Sequence, residues 1–104
     1  MFRRKKSPDA VQVHSLDCAP IAMAPRRERA TIKGKVVRMQ SRPAQGLPTM
    51  VISIVDDTGT AVATWTGRRA IGGVTLGRTI ALTGVGADVN GVLTFVNPEY
   101  TLLA

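Results

Sequence analysis

Few side chains in this 104-residue sequence are equipped for chemistry, and the metal-binding types are the scarcest. The sequence holds one histidine, His14, and one cysteine, Cys18. Spaced four residues apart, they would share a face of a helix. A structural zinc site takes about four ligands, however, and a single cysteine cannot form a disulfide within the chain. We therefore predict no metal site and no cofactor.

Two further motifs suggest catalysis and fail on context. Asp56 and Asp57 are paired carboxylates, but they precede Thr58-Gly59 between two strand-like runs, where Asp typically bonds its own backbone in a turn. No nucleophile and base accompany them. Gly72–Thr79 has the spacing of a phosphate-binding P-loop, with Arg78 in place of lysine, but it leads into a strand instead of a helix. We predict that the protein is not an enzyme.

Charge points to a polyanionic partner. The formal net charge is +7, and residues 1–6 contribute Arg3, Arg4, Lys5 and Lys6 without an acid. Such a basic tail attracts nucleic acid or anionic membrane without reading sequence, although it could equally be a solvated tail. No apolar run approaches the ~20 residues of a membrane span, and no apolar signal-peptide core follows Met1–Lys6. We expect a cytoplasmic protein with no membrane partner.

The rest of the chain alternates between strand and turn patterns. The predicted strands are Ala30–Gln40, Met50–Val55, Thr60–Trp65, Thr79–Gly86 and Val92–Val96. Asp56–Gly59 and Asn90-Gly91 predict hairpin turns, because Asp, Asn and Gly accept the backbone angles of tight turns. Gly34 suggests a bulge or bend in the first strand. Ser41–Pro48 is predicted to be a loop, and Pro98 restricts the residues after it to an edge or an end of the sheet.

The segment before the first strand is predicted to be accessory. Ser7 and Pro8 have the pattern of a helix start, and a short helix would end near Cys18. Ala19–Arg29 is a predicted linker. The chain therefore divides into a basic tail, short helix and linker at 1–29 and a domain at 30–104.

Strand number and order predict the fold class. An all-β domain with a long bent strand, a hairpin, a Gly-rich crossover and a second hairpin matches the five-stranded Greek-key barrel called the OB-fold, here with a short N-terminal helix or extended arm. A β-sandwich, the alternative, needs about seven strands.

In an OB-fold, oligonucleotides cross the face of strands two and three, and the sequence places bases around that face. The candidate nucleic-acid contacts are Lys33, Lys35, Arg38, Arg42, Trp65, Arg68 and Arg69. The basic residues would track phosphates, and Trp65 would either stack on a base or lie in the core. Phe95 is predicted to fill the barrel and Tyr100 to pack the C-terminal extension against it.

Four segments carry a family resemblance: Gly34-Lys35-Val36, Val55-Asp56-Asp57-Thr58-Gly59, Thr64-Trp65-Thr66-Gly67-Arg68-Arg69 and Asn97-Pro98-Glu99-Tyr100. They resemble the OB-fold of the anticodon-binding type, including the wedge domain of the branched-DNA helicase RecG. They also resemble small stand-alone bacterial OB-fold proteins. The resemblance implies nucleic-acid binding, with Trp65, Arg68 and Arg69 as candidate contacts to a DNA junction.

Together these features predict a non-enzymatic module that binds single-stranded or branched DNA, or RNA, through a basic groove over strands one to three. The alternative is a protein-interaction module that uses the barrel groove or a free strand edge. An exposed apolar patch around Met50, Ile52 and Val62 would favour that alternative.

Overall fold

A computed structural model describes residues 18–68 and 70–103, and most of them lie in strands. In chain order these are β1 Arg29–Ala44, β2 Leu47–Val55, β3 Thr60–Thr66, β4 Thr79–Val89, β5 Val92–Val96 and β6 Glu99–Leu102. A 3₁₀ turn at Ile21–Met23 is the only helical element in these residues, so no helix among them could cross a bilayer. The predicted basic tail, the helix from Ser7 and Arg69 lie outside the described residues.

Five of the strands form a closed ring. The order is β1-β2-β3-β5-β4, and the first half of β1 pairs with β4 to close it. The β3–β5 pair is parallel and the other pairs are antiparallel. Strand β6, which was not predicted from the sequence, comes after Pro98 and pairs with the same edge of β4 as β5, because β1 occupies the other edge of residues 80–83. The predicted all-β, five-stranded barrel is confirmed.

The hairpin of β2 and β3 forms one wall of the barrel. Their residues pair in unbroken register from Thr49↔Thr66 to Val55↔Thr60 around the predicted turn. Burial alternates along both strands, as expected where one face of a sheet packs on a core. The inward side chains are Met50, Ile52, Ile54, Ala61, Ala63 and Trp65. The outward residues of β2 are therefore Val51, Ser53 and Val55.

The loop predicted at Ser41–Pro48 is wrong, because β1 and β2 continue through it as a two-stranded arm. β1 runs to Ala44, and β2 begins at Leu47. Proline has no N–H to donate in a sheet ladder. Pro43 lies directly opposite Pro48, in a non-hydrogen-bonded pair where neither residue has to donate an N–H to the other. The intervening Gln45 and Gly46 have φ values of 53° and 81°, which are the angles of a tight two-residue hairpin turn.

Gly34 marks a close approach of two backbones, and the bulge suggested there lies further along β1. A Cβ atom on Gly34 would come within 2.6 Å of the Val55 carbonyl oxygen. The bulge falls between Val36, which pairs with Ile54, and Arg38, which pairs with Ser53. Val37 is the extra residue, and it is half exposed. Glycine at position 34 thus lets β1 pass close to the end of β2.

The linker predicted at Ala19–Arg29 packs against one end of the barrel, and its last residue already begins β1. The Ala19 N–H donates to the Thr31 carbonyl oxygen at 2.8 Å, and the Arg27 N–H donates to that of Gly86 at 3.0 Å. Ile21 is 2% exposed and belongs to the core. This segment therefore crosses from β1 to the end of β4.

Asp56 holds that segment to the β2–β3 turn. Its Oδ1 accepts hydrogen bonds from the backbone N–H groups of Thr58 at 2.7 Å and Gly59 at 3.0 Å, and from the Thr58 hydroxyl at 2.6 Å. Its Oδ2 accepts the Ile21 N–H at 2.9 Å. The turn interpretation of Asp56 is confirmed. The same carboxylate also anchors the segment before β1.

We predict that Asp56→Ala lowers the free energy of unfolding by about 2 kcal/mol, because it leaves several backbone N–H groups without their acceptor. Urea denaturation measures the change. The matched control is Asp57→Ala, which removes an exposed carboxylate one residue away and should cost less than about 0.5 kcal/mol. Equal losses in the two variants would contradict the anchoring role.

The Asp56 carboxylate should make the free energy of unfolding depend on pH in the acidic range. Partial burial raises the pKa of Asp56, but hydrogen bonds from the Thr58 hydroxyl and from the N–H groups of Ile21, Thr58 and Gly59 outweigh it and hold the pKa below the ordinary 3.8. A carboxyl whose pKa is lowered by folding stabilises the fold above its unfolded-state pKa, and that contribution is lost as pH falls through the folded-state value. Urea titrations from pH 6 down to about pH 2 should show a shallower loss of stability in Asp56→Ala than in the parent chain. Parallel curves would contradict this.

We predict that Gly34→Ala costs about 3 kcal/mol or more, because the new methyl group meets backbone atoms that cannot move aside. Gly72→Ala is the control, since its Cβ would meet nothing closer than the Tyr100 hydroxyl at 3.6 Å. Thermal unfolding of the two variants makes the comparison. A Gly34→Ala protein as stable as the Gly72→Ala protein would show that β1 and β2 are not in tight contact there.

Candidate nucleic-acid interface

The candidate site is the outer face, which we define as the outward side chains of β1 from Lys35 onward and of β2, β3 and β5. Cross-strand register orders this face into rows. One row runs Arg38–Ser53–Val62–Thr94, and the next runs Gln40–Val51–Thr64–Val96. One margin of the face therefore carries cations, and its middle carries small and β-branched side chains.

The basic row, Lys35, Arg38 and Arg42, lies along β1. Strict alternation from Lys35 would turn Arg38 inward, but the extra residue in the bulge keeps both on the outer face. Arg38, Gln40 and Arg42 then follow at every second position, about 6.6 Å apart. All three bases of the basic row are exposed. A line of exposed cations along one strand is suited to binding a chain of phosphates.

The basic row has no acidic partner among the described residues. In that part of the chain the ion pairs are Arg26–Asp88, at 3.2 Å, and Arg29–Glu99, at 2.9 Å. Neither pair involves the outer face. The positive charge of the basic row is therefore available to a ligand.

Arg68 lies at the same end of the outer face as Arg42. The Gly67 N–H donates to the Pro48 carbonyl oxygen at 2.6 Å, which fixes the chain next to the base of the β1–β2 arm. Thr49 joins the two regions, because it pairs with Arg42 on one side and with Thr66 on the other. Arg68 is exposed. Three of the predicted bases thus lie on the outer face, and Arg68 follows β3 near its Arg42 end.

Lys33 precedes that group on β1 and has carboxylates nearby. It is half-buried and lines a hollow of ≈ 280 Å³ together with Cys18, Pro20, Asp56 and Asp57. A polyanion that approached Lys33 would also meet these two carboxylates. We therefore leave Lys33 out of the basic row, and Arg69 lies outside the described residues.

The apolar patch that would have favoured a protein-interaction module is not formed as expected. Met50 is 7% exposed and Ile52 is fully buried, because both point into the barrel. Val62 is half-buried on the outer face, next to Ser53 and Thr94.

Trp65 lies in the core, which settles the alternative left open by the sequence. It is 2% exposed, and its indole N–H donates to the Pro98 carbonyl oxygen at 3.0 Å. The Tyr100 ring packs edge-on against it, with ring centroids 5.9 Å apart. Phe95 is 1% exposed inside the barrel, as predicted. In residues 18–68 and 70–103, no aromatic ring is left on the outer face to stack on a base.

Solved structures give the same architecture. An OB domain, residues 67–166 of a protein from Methanosarcina mazei, matches with a TM-score of 0.61 and 16% identity over 84% of this chain and 83% of that one. The chain adopts an OB-fold. A crystal structure of yeast Stn1 and Ten1 matches with a TM-score of 0.55 and 16% identity over 73% of this chain. The match spans 43% of that yeast chain. No protein-family model and no curated protein sequence matches this chain.

Within this OB-fold, sequence reasoning missed part of the outer face. The two rows also hold three hydrogen-bonding side chains, those of Gln40, Ser53 and Thr64. None of them was a candidate contact in the sequence analysis. The sequence signal for Ser53 was that it is the one polar residue in the apolar run from Met50 to Val55. A polar residue in such a run marks the outward face of β2. Gln40 had no such signal, because its direction depends on the bulge.

The OB barrel gives no metal-binding arrangement in its described residues. No group of three His, Cys, Asp or Glu side chains there is placed to hold an ion. Both carboxylate oxygens of Asp56 are already engaged by N–H and O–H donors. The geometry of the outer face thus offers ionic contacts and hydrogen bonds.

Since the chain has one tryptophan, its fluorescence tests whether Trp65 meets a ligand. We predict a blue-shifted emission that iodide quenches poorly, unchanged in wavelength and intensity when single-stranded DNA is added. Trp65→Phe should lose about 1 kcal/mol of stability with the indole hydrogen bond and keep its DNA affinity. Strong quenching by DNA, or loss of affinity in a folded Trp65→Phe protein, would place the ring in the interface.

Proposed function

We propose that this OB-fold protein is a non-enzymatic module that binds single-stranded or branched nucleic acid across its outer face. The observation that carries the proposal is the basic row: three exposed cations on one strand, without an acidic partner among the described residues. Arg68 extends the positive surface at the Arg42 end.

Phosphate contacts supply most of the affinity in this proposal. Stacking on aromatic rings contributes about 1–3 kcal/mol per base where it occurs, but Trp65 and Phe95 are buried in the barrel. Binding is then modest, sensitive to salt and tolerant of sequence. Ser53, Thr64 and Gln40 add hydrogen bonds to whatever groups lie over the middle of the face.

A ligand with a single flexible backbone suits this arrangement. The basic row lies at one margin, and the half-buried Val51 and Val62 beside it offer an apolar surface against which unstacked bases can lie. Such bases are present in single strands and at the open end of a fork. The basic tail Arg3–Lys6 adds attraction that does not depend on sequence.

Non-enzymatic action is part of the proposal. It rests on the small inventory of reactive side chains in the sequence, with one histidine and one cysteine. The resemblance to the RecG wedge and to small bacterial OB-fold proteins supports a nucleic-acid ligand and makes a junction one of the substrates to test.

The experiment is fluorescence anisotropy with labelled single-stranded DNA, RNA of the same sequence and a forked duplex. We predict that Lys35→Ala, Arg38→Ala and Arg42→Ala each weaken binding about three- to tenfold at low salt, and each reduce the salt slope by about 0.7 per lost phosphate contact. Arg29→Ala is the charge-matched control, because Arg29 pairs with Glu99 away from the outer face. It should change affinity less than about twofold.

A chain that lacks residues 1–6 separates the tail from the barrel. The proposal expects weaker binding that still responds to the basic-row variants. If all binding disappears with the tail, or if Arg29→Ala matches the three basic-row variants, the outer face is not the nucleic-acid site. A separate comparison of the affinities for the three labelled ligands ranks DNA, RNA and the fork.

A further inference from the structure

Part of the β1 edge has no strand beside it among the described residues. β1 pairs with β4 up to Lys35 and with β2 from Lys35 to Ala44. The backbone of Val36 bonds on its other side to Gly77 and Arg78. Beyond Val36, the edge of β1 that faces away from β2 has no strand beside it in the described part of the chain.

The register identifies the backbone groups on this free edge. Ala44↔Leu47 closes the two-residue turn, so it is a hydrogen-bonded pair, and such pairs alternate with non-bonded pairs along an antiparallel ladder. Arg42 and Gln40 therefore bond to β2. Met39 and Ser41 direct their backbone N–H and C=O groups away from β2, in the plane of the sheet. Pro43 has no N–H, so it ends the usable edge.

We propose that the free edge of β1 between Val37 and Arg42 binds an extended acidic segment of a partner protein, which joins the sheet as an additional strand. Main-chain hydrogen bonds to Met39 and Ser41 would hold the segment, as in other cases of strand addition. Its acidic side chains would lie opposite Arg38 and Arg42 on the outer face.

The chemistry of the edge selects a polypeptide. Outward N–H and C=O groups alternate along it, and a polypeptide strand supplies matching acceptors and donors. A phosphodiester backbone has acceptors but no donor for the Met39 and Ser41 carbonyl oxygens. The backbone groups of this edge are therefore distinct from the basic row, although the acidic side chains of the segment would meet two of its members, Arg38 and Arg42.

Charge disfavours a second copy of this chain. Antiparallel pairing of two such edges about Gln40 would place Arg38 of each copy opposite Arg42 of the other, and like charges directly opposite each other destabilise a sheet. An acidic segment has the complementary charge.

Exposed apolar residues mark one end of the edge. Val37 is 50% exposed and Leu76 is 65% exposed. The Gly77 N–H donates to the Val36 carbonyl oxygen at 2.8 Å, which brings the two residues to the same end of the edge. An apolar side chain at one end of the acidic segment would cover them.

The test uses the full chain and a blocked peptide of about seven residues in which glutamate alternates with valine, a length suited to this short edge. NMR titration should show saturable shifts and slowed hydrogen exchange at the Met39 and Ser41 amides. A peptide with lysine in place of glutamate should bind at least about tenfold more weakly.

Peptides methylated on alternate backbone nitrogens identify the binding mode without changing the protein. Only one edge of the peptide faces β1, so methylation of one alternate set should weaken binding at least about tenfold, while methylation of the other set has little effect. Equal binding of both methylated peptides, or no binding of the parent peptide, would overturn the proposal.

Protein variants supply the reciprocal test. Ser41→Pro removes an outward N–H and should abolish peptide binding, while the matched Ser41→Ala keeps it. Both should retain the single-stranded DNA affinity of the parent chain, which also shows that they fold. If Ser41→Pro does not fold, the methylated peptides decide the question. Loss of DNA binding in the basic-row variants is a separate outcome, so either proposal can fail alone.

Discussion

The barrel closes through β1, which pairs with β4 along its first half and with β2 along its second half. At Lys35, β1 is paired with Thr79 of β4 on one side and Val55 of β2 on the other. The close approach of β1 to the end of β2 leaves no space for a Cβ at Gly34. Three residues after Gly34, the bulge at Val37 bends the strand and increases its twist, as closure of a small barrel requires. Residues 34–38 of β1 therefore determine both how the barrel closes and which way the following side chains of β1 point.

This bend determines the character of the outer face. Because Val37 is inserted, Lys35 and Arg38 project to the same side despite their odd spacing. The aromatic side chains of the described residues are used differently: Phe95 fills the barrel, and Trp65 binds Pro98 and packs against Tyr100. The aromatic rings of Trp65 and Phe95 thus lie in the core, and the cations lie on the outer face. A nucleic-acid ligand on such a face is held by charge more than by stacking.

Turn chemistry made much of the fold predictable from the sequence. Asp56–Gly59 and Asn90-Gly91 fix the β2–β3 and β4–β5 hairpins, since their residues accept the backbone angles or bonds of tight turns. Asn90 and Gly91 have φ values of 54° and 83°. The β1–β2 arm was missed because Pro43 and Pro48 indicate a loop, and only their pairing opposite each other makes them compatible with a ladder.

The site was less predictable than the fold. Its bases could be found one by one in the sequence, but their common face depends on a bulge that alternation does not locate. Lys33 was grouped with the others because it alternates with Lys35, and the carboxylates of the β2–β3 turn that line the same hollow are distant in sequence. The position of Trp65 required knowledge of its partner Pro98, 33 residues away.

The most direct test of binding at the outer face is NMR mapping of backbone amide shifts as unlabelled single-stranded DNA is added to the full chain. We expect the largest shifts on Lys35, Arg38 and Arg42 and on the outward residues of β2 and β3, and we expect them to shrink as salt is raised. Largest shifts on β6, which is not one of the strands of the outer face, would contradict binding at this face. So would shifts confined to the first six residues.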